Sequence, residues 1–131
     1  VRFGETMNLD RHLLTDKGLY SGNQRPFLND EAEFALFYDL FKDDALVFKN
    51  IPSKQVWIQH RNGGKRLKME YYGFPHFGIW SVPGADYVCL EPWIGCADQI
   101  DQPEDFFSKD SMIKLEKGQT YKASFSVSVI Q

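Results

Sequence analysis

Residues 54–72 read KQVWIQHRNGGKRLKMEYY, and this stretch decides the fold class. Apolar and polar side chains alternate on both sides of the central Asn62-Gly63-Gly64, as they do along half-buried β-strands. Asn-Gly and Gly-Gly both accept the positive φ angles of the tight turns that join antiparallel strands. The stretch therefore predicts an antiparallel hairpin with strands over 54–60 and 66–72.

Further short strands are predicted on both sides of this hairpin. They cover residues 46–48, 77–80, 87–91 and 120–130. In the last of them, apolar side chains alternate with lysine and serine, which is typical of a strand with one buried face. Because no strand–helix alternation is present, the sequence predicts an all-β fold, an antiparallel β-sandwich.

Three segments outside these strands are less regular. Residues 21–26 and 28–30 are rich in Gly, Asn, Asp and Pro, so that they are expected to be loops. Residues 34–40 fit either a short strand or one helical turn, because periodicity does not separate the two at this length. Pro103 begins a predicted helical turn over 103–107.

The composition is that of a folded and mildly acidic protein. The 131 residues are 43% hydrophobic and 25% charged, which excludes wholesale disorder. Fifteen basic and eighteen acidic side chains give a net charge of −3. Since no basic stripe is present to hold a phosphate backbone, we expect no nucleic-acid partner.

The sequence also predicts the compartment. The longest apolar run, residues 34–37, is too short to cross a membrane, and no signal-peptide core precedes it. The two cysteines, Cys89 and Cys96, form neither a disulfide framework nor a C-x-x-C motif. We therefore expect a cytoplasmic protein without a membrane partner.

Motifs for the common catalytic and cofactor chemistries are absent from the sequence. There is no nucleophile elbow, phosphate-binding glycine loop or zinc-binding helix motif. The histidines, His12, His60 and His76, are far apart and lack metal-ligand spacing, so that each is interpreted as a polar residue at a strand end. The sequence predicts neither a metal nor a cofactor.

One carboxylate stands between two tryptophans. Glu91 ends a predicted strand, Pro92 after it restricts its backbone to an extended conformation, and Trp80 and Trp93 flank it. A carboxylate among aromatic rings suits a carbohydrate, because a sugar packs its apolar face on an indole while the carboxylate accepts a hydroxyl proton. The alternative is a strand-end glutamate in an ordinary surface contact beside two core tryptophans.

Residues 77–98, FGIWSVPGADYVCLEPWIGCAD, carry a resemblance to a known family. They resemble the C-terminal signature of the aldose 1-epimerase, or galactose mutarotase-like, family. Residues 105–109 and 115–118 are similar to the same family, and residues 40–46 (LFKDDAL) look like its segment that bears an acidic substrate ligand.

The resemblance implies a fold and an activity. Family members are large antiparallel β-sandwiches with an open sugar cleft, and they interconvert the α and β anomers of a hexose or hexose phosphate without a cofactor. Glu91 matches the family's general base, and Asp44, or less closely Asp43, matches the acidic ligand of sugar hydroxyls. We interpret Trp80 and Trp93 as walls of the cleft.

The sequence also departs from the family pattern. Family domains are about twice as long, and the histidine that protonates the ring oxygen lies in an N-terminal half that has no counterpart here. We therefore expect residues 1–131 to be the C-terminal portion of one such domain. Its partners are then the N-terminal half and a sugar, and its open sheet edges make a dimer plausible. The alternatives are a non-catalytic carbohydrate-binding module and a structural β domain without a ligand.

Overall fold

The computed structural model describes residues 1–102 and 105–131, and nearly all of its regular structure is β. The strands are β1 (Arg2–Leu14), β2 (Tyr20–Glu33), β3 (Leu46–Phe48), β4 (Gln55–Gln59), β5 (Arg66–Tyr72), β6 (His76–Trp80), β7 (Cys89–Trp93) and β8 (Ser124–Ile130). Two 3₁₀ turns lie at Tyr38–Phe41 and Phe106–Ser108. Within the described part of the chain, no helix is long and apolar enough to span a membrane.

The strands form one antiparallel sheet in the order β7-β6-β3-β1-β4-β5-β8, and β2 pairs with β1. β1 is the common strand, because β3 pairs with it at His12 and β4 pairs with it at Arg2 and Phe3. The named strands pair antiparallel throughout. This architecture confirms the predicted all-β antiparallel fold class.

The hairpin predicted over 54–72 is confirmed as β4 and β5. Gln55 pairs with Glu70 and Gln59 pairs with Arg66, so that the register is unbroken. Gly63 and Gly64 take φ angles of 81° and 93° in the turn. These are the positive values that the Asn-Gly-Gly sequence accepts at little steric cost.

The loop predicted over residues 21–30 is wrong, because this segment belongs to β2. β1 presents a long edge with which it pairs, and tertiary pairing overrides the local turn preferences. The pairing has several register irregularities, and Asp30 has a φ of 55°. Pro26 is tolerated because β2 is an edge strand.

The remaining irregular segments contain only short helical turns. Of the two alternatives for residues 34–40, the structure has a 3₁₀ turn that begins at Tyr38. The predicted turn over 103–107 falls partly outside the described residues, and what is described is the 3₁₀ turn Phe106–Ser108. Asp105 caps it, because its carboxylate accepts a hydrogen bond from the Phe107 amide at 3.2 Å.

The sheet has two unlike faces. The core face carries the fully buried side chains Phe3, Leu46, Phe48, Val56, Tyr71, Phe77 and Ile79. Segments after β2 cover part of this face, because Phe34, Leu36 and Leu40 pack against the same cluster. The opposite face is called the site face, and it is defined by His12, Val47, Gly78 and Glu91, which the strand registers place side by side.

The last strand differs from its prediction of one buried face. Three apolar side chains on one face of this strand, Phe125, Val127 and Val129, are 62%, 56% and 62% exposed. Their register partners lie on the core face, and the partner of Phe125 is the fully buried Tyr71. These three residues, called the β8 row, therefore continue the core face beyond the part that the described residues cover.

Candidate functional site

Glu91 lies near the middle of β7, a strand at one end of the sheet, and its side chain is half-buried on the site face. The Trp93 indole Nε1 donates a hydrogen bond to Glu91 Oε2 at 3.1 Å. The two side chains share a face because they are two residues apart on one strand. One carboxylate oxygen is thus held by an indole, and Oε1 remains available to a ligand.

The residue across the sheet from Glu91 is Gly78. A Cβ atom on Gly78 would lie 2.7 Å from Cζ2 and 3.0 Å from Cε2 of Trp93, so that the indole lies directly over this glycine. The sequence analysis missed Gly78 as a site residue. A glycine inside a strand often marks such a close approach, and that was the available signal.

Trp80 and Trp93 form the aromatic part of the site. Both are half-buried and pack against a small cluster that includes Val47 and Tyr20. The Trp80 ring also meets Tyr87 at 6.2 Å between centroids and an angle of 60°. Each ring is therefore only partly covered by the protein, whereas a purely structural role would bury both rings together with Glu91.

Asp44 lies apart from this group. It precedes β3 with a φ of 73°, and its Oδ1 accepts a hydrogen bond from the Ala45 amide at 2.6 Å. The Arg11 guanidinium fixes this turn by donating to the carbonyls of Asp43 and Asp44 at 3.0 and 3.1 Å. β3 and β7 are separated by one strand, and no contact within the described residues joins Asp44 to Glu91.

A polar group that the sequence analysis missed surrounds Lys49, which follows β3. The Lys49 ammonium lies 4.2 Å from the centroid of the Tyr20 ring and 2.6 Å from Asp110 Oδ2. The His12 ring is 5.9 Å from the same tyrosine ring. The hydrogen bond from Lys49 lowers the pKa of the Asp110 carboxyl. No sequence signal joins these residues, since Lys49 and Asp110 are 61 positions apart.

His76 on β6 is also close to this group, and it is only 4% exposed. Its Nδ1 accepts a hydrogen bond from the Asn50 amide at 3.1 Å, which leaves Nε2 as the proton-bearing nitrogen of the neutral ring. Burial, and after it the positive charge of Lys49, lowers the pKa of His76. The interpretation of His76 as a strand-end polar residue is therefore incomplete, because it supplies a fixed neutral N–H donor.

The other two histidines differ from each other. Burial and the Lys49 charge lower the pKa of His12, which lies within β1 rather than at its end. His60 is exposed beside the β4–β5 turn, as the sequence analysis expected, and its Nδ1 accepts a hydrogen bond from the Asn62 amide at 3.2 Å. Among residues 1–102 and 105–131, no three His, Cys, Asp or Glu side chains form a group that could hold a metal ion.

The sheet and its site face define a β-sandwich of the galactose mutarotase type, which two solved structures share. The galactose mutarotase related enzyme from Lactobacillus acidophilus matches 99% of this chain with a TM-score of 0.79 and 28% identity. A galactose mutarotase-like protein from Lactobacillus casei ATCC 334 matches 98% with a TM-score of 0.76 and 17% identity. Over nearly its whole length the chain is therefore similar to galactose mutarotase-like proteins.

The amino-acid sequence is also similar to that of a known protein over most of its length. Plasmid-encoded LacX of Lactococcus lactis subsp. lactis is 27% identical over 109 residues, and its chromosomal form matches equally. No family model matches the sequence. The chain spans 36% of the length of LacX and 44% of each solved structure.

Proposed function

We propose that this chain carries the general base of an aldose 1-epimerase, with Glu91 in that role. The observation that supports the proposal most is the state of this carboxylate. It is half-buried, one oxygen accepts the Trp93 N–H at 3.1 Å, and the other has no partner among the described residues. A carboxylate held in this way can accept a proton from a sugar hydroxyl without first rearranging.

The proposed reaction opens and closes a hexose ring. Glu91 removes the proton of the anomeric hydroxyl, the bond between C1 and the ring oxygen breaks, and an acid protonates that oxygen. Rotation about the C1–C2 bond and closure in reverse then give the opposite anomer. No electrons are gained or lost, so that the reaction needs no redox cofactor. The uncovered parts of the Trp80 and Trp93 rings would pack against the sugar, and the exposed Asp44 would bind its hydroxyl groups.

The acid is proposed to be a histidine from an N-terminal half of the same domain. Burial and Lys49 favour the neutral forms of His12 and His76, so that neither is suited to deliver a proton near neutral pH. The chain spans less than half of its solved relatives. We therefore propose that residues 1–131 are the C-terminal portion of such a domain.

The β8 row supports the same arrangement. Phe125, Val127 and Val129 extend the core face but are more than half exposed, and an apolar row of this kind normally packs against another part of a protein. The proposed occupant is the remaining portion of the domain, since the row is continuous with the hydrophobic core.

The proposed ligand of the site face is a hexose or a hexose phosphate.

A second candidate function is non-catalytic carbohydrate binding. It is favoured by the neutral state of both site-face histidines, because the aromatic rings, Glu91 and neutral N–H donors suffice to bind a sugar without turnover. Polarimetry on the intact protein separates the two functions. Catalysis predicts faster anomerisation of a fresh hexose solution, whereas a binding module retains the sugar and leaves the rate unchanged.

The variant E91Q tests the assigned base. Glutamine keeps the shape and can still accept from Trp93, so that sugar binding should persist while anomerisation falls roughly 100-fold or more. An unchanged rate in E91Q, with the sugar still bound, would reject Glu91 as the base.

A further inference from the structure

A cavity of about 760 Å³ lies beside β1, β4 and the start of β5, away from Glu91 on β7. The start of β1, the segment after β2 and the β4–β5 hairpin surround it. Its lining includes Arg2, Glu33, Trp57, His60, Arg61 and Arg66. β4 and β7 are four steps apart in the sheet order, which corresponds to roughly 19 Å. This cavity is therefore separate from the candidate sugar site.

The cavity concentrates unpaired positive charge. It contains three of the five arginines of the chain, and among the described residues Glu33 is the one carboxylate that lines it. Every ion pair within the described residues uses a lysine, namely Lys49, Lys68, Lys109 and Lys114. Three arginines therefore line one cavity without ion-pair partners in the described part of the chain.

The hairpin turn adds a further donor. The Gly63 amide donates to the His60 carbonyl at 2.9 Å, and His60 Nδ1 accepts from the Asn62 amide at 3.2 Å. In the neutral ring the proton is therefore on Nε2, which is left as an N–H donor. Trp57 provides an aromatic surface beside these donors, and the Lys68 ammonium lies 5.5 Å from its ring centroid.

From this arrangement we infer that the cavity is a second, non-catalytic site for a phosphate monoester. Planar guanidinium groups donate paired hydrogen bonds that match the oxygens of a phosphate, and three of them suit a dianion. The volume is in the range of small-molecule sites, so that a sugar-sized body fits beside the phosphate. The inference depends on this cavity and not on the proposed role of Glu91.

The test is isothermal titration calorimetry of the intact protein with inorganic phosphate. The double variant R61A/R66A should weaken phosphate binding at least about tenfold, because it removes two charged donors. R61K/R66K should lose part of the affinity, since lysine keeps the charge but not the paired geometry. Thermal unfolding of each variant shows whether it is folded.

Two controls make the result specific. R25A removes an exposed arginine of β2 that does not line the cavity, and it should leave phosphate affinity unchanged. E91Q should also leave it unchanged, since the two sites are separate. The inference is overturned if the intact protein does not bind phosphate, if R61A/R66A binds as tightly as the parent, or if E91Q weakens binding as much as R61A/R66A does.

Discussion

Trp93 and Glu91 are joined by a hydrogen bond of 3.1 Å from the indole nitrogen to the carboxylate, although only a proline separates them in sequence. The proline keeps the strand extended, so that both side chains emerge on one face. An indole N–H bonded to a carboxylate oxygen fixes the orientation of the carboxylate. Trp93 is therefore expected to do more than line a cleft.

The first prediction concerns this hydrogen bond. Trp93→Phe removes the donor while keeping an aromatic ring. Because the Glu91 carboxylate is then free to rotate, the anomerisation rate should fall by about tenfold. Trp80→Phe is the matched control, because Trp80 makes no hydrogen bond to Glu91 among the described residues. Polarimetric rates of the two variants decide the matter, and equal rates would mean that the Trp93 N–H has no special part in the reaction.

Gly78 provides the second prediction. Gly78→Ala places a methyl group 2.7 Å from the Trp93 ring, and the indole must move away from its position over the strand. We expect a loss of about 1–3 kcal/mol in the free energy of unfolding, measured with urea, together with slower anomerisation. Gly95→Ala is the control, since its Cβ would meet no atom within 4 Å. A stability of G78A equal to that of G95A would contradict the described packing.

The third prediction is a pH dependence of stability. Burial lowers the pKa of His76 below its ordinary value of 6.5, and the charges of Lys49, His12 and Lys54 act in the same direction, whereas Asp110 opposes them. The unfolded chain therefore takes up a proton below about pH 6.5 that the folded chain resists. The stability conferred by the neutral ring is complete above that pH and is lost as the pH falls below it.

The variant His76→Asn tests this dependence. Its side-chain oxygen can still accept from the Asn50 amide but does not titrate. Urea unfolding between pH 7.5 and pH 5, a range chosen to span the ordinary histidine pKa of about 6.5, should show a shallower decline in H76N than in the parent. The difference in slope should reach at most about 1.4 kcal/mol per pH unit. Parallel declines would show that His76 does not resist protonation.

The fourth prediction concerns the β8 row. If the remainder of the domain covers this row, Val127→Asp should destabilise the intact protein by about 2 kcal/mol or more, because it buries a carboxylate in place of an apolar side chain. Ser128→Asp, on the opposite face of the same strand, should have little effect, since Lys68 lies opposite Ser128. Thermal unfolding provides the comparison, and equal melting temperatures would mean that the row stays exposed in the intact protein.

The sequence predicted the parts of the fold that depend on local patterns. The β4–β5 hairpin follows from an alternation of side chains around Asn62-Gly63-Gly64, and both are local features. β2 could not be predicted in this way, because Gly22, Pro26 and Asp30 favour turns on their own. It forms because β1 offers a partner along its length, and that information lies outside the segment.

In the candidate site, too, the features that depend on local sequence could be predicted, and those that depend on distant segments could not. The period of two along a strand was sufficient to place Glu91 with Trp93, since both are on β7. The contacts of Lys49 with Tyr20 and Asp110 depend on how distant segments meet, and no local pattern encodes them. The proposed role of Asp44 as a sugar ligand stays a prediction.

The shared use of β1 has a consequence for how the sheet opens. β3 and β4 both pair with β1, at His12 and at Arg2 and Phe3, and they do not pair with each other. The hydrogen-bonded ladder thus divides into two arms, one of β3, β6 and β7 and the other of β4, β5 and β8. Amide protons in the two arms are therefore expected to exchange with solvent as separate cooperative units, with β1 as the slowest segment common to both.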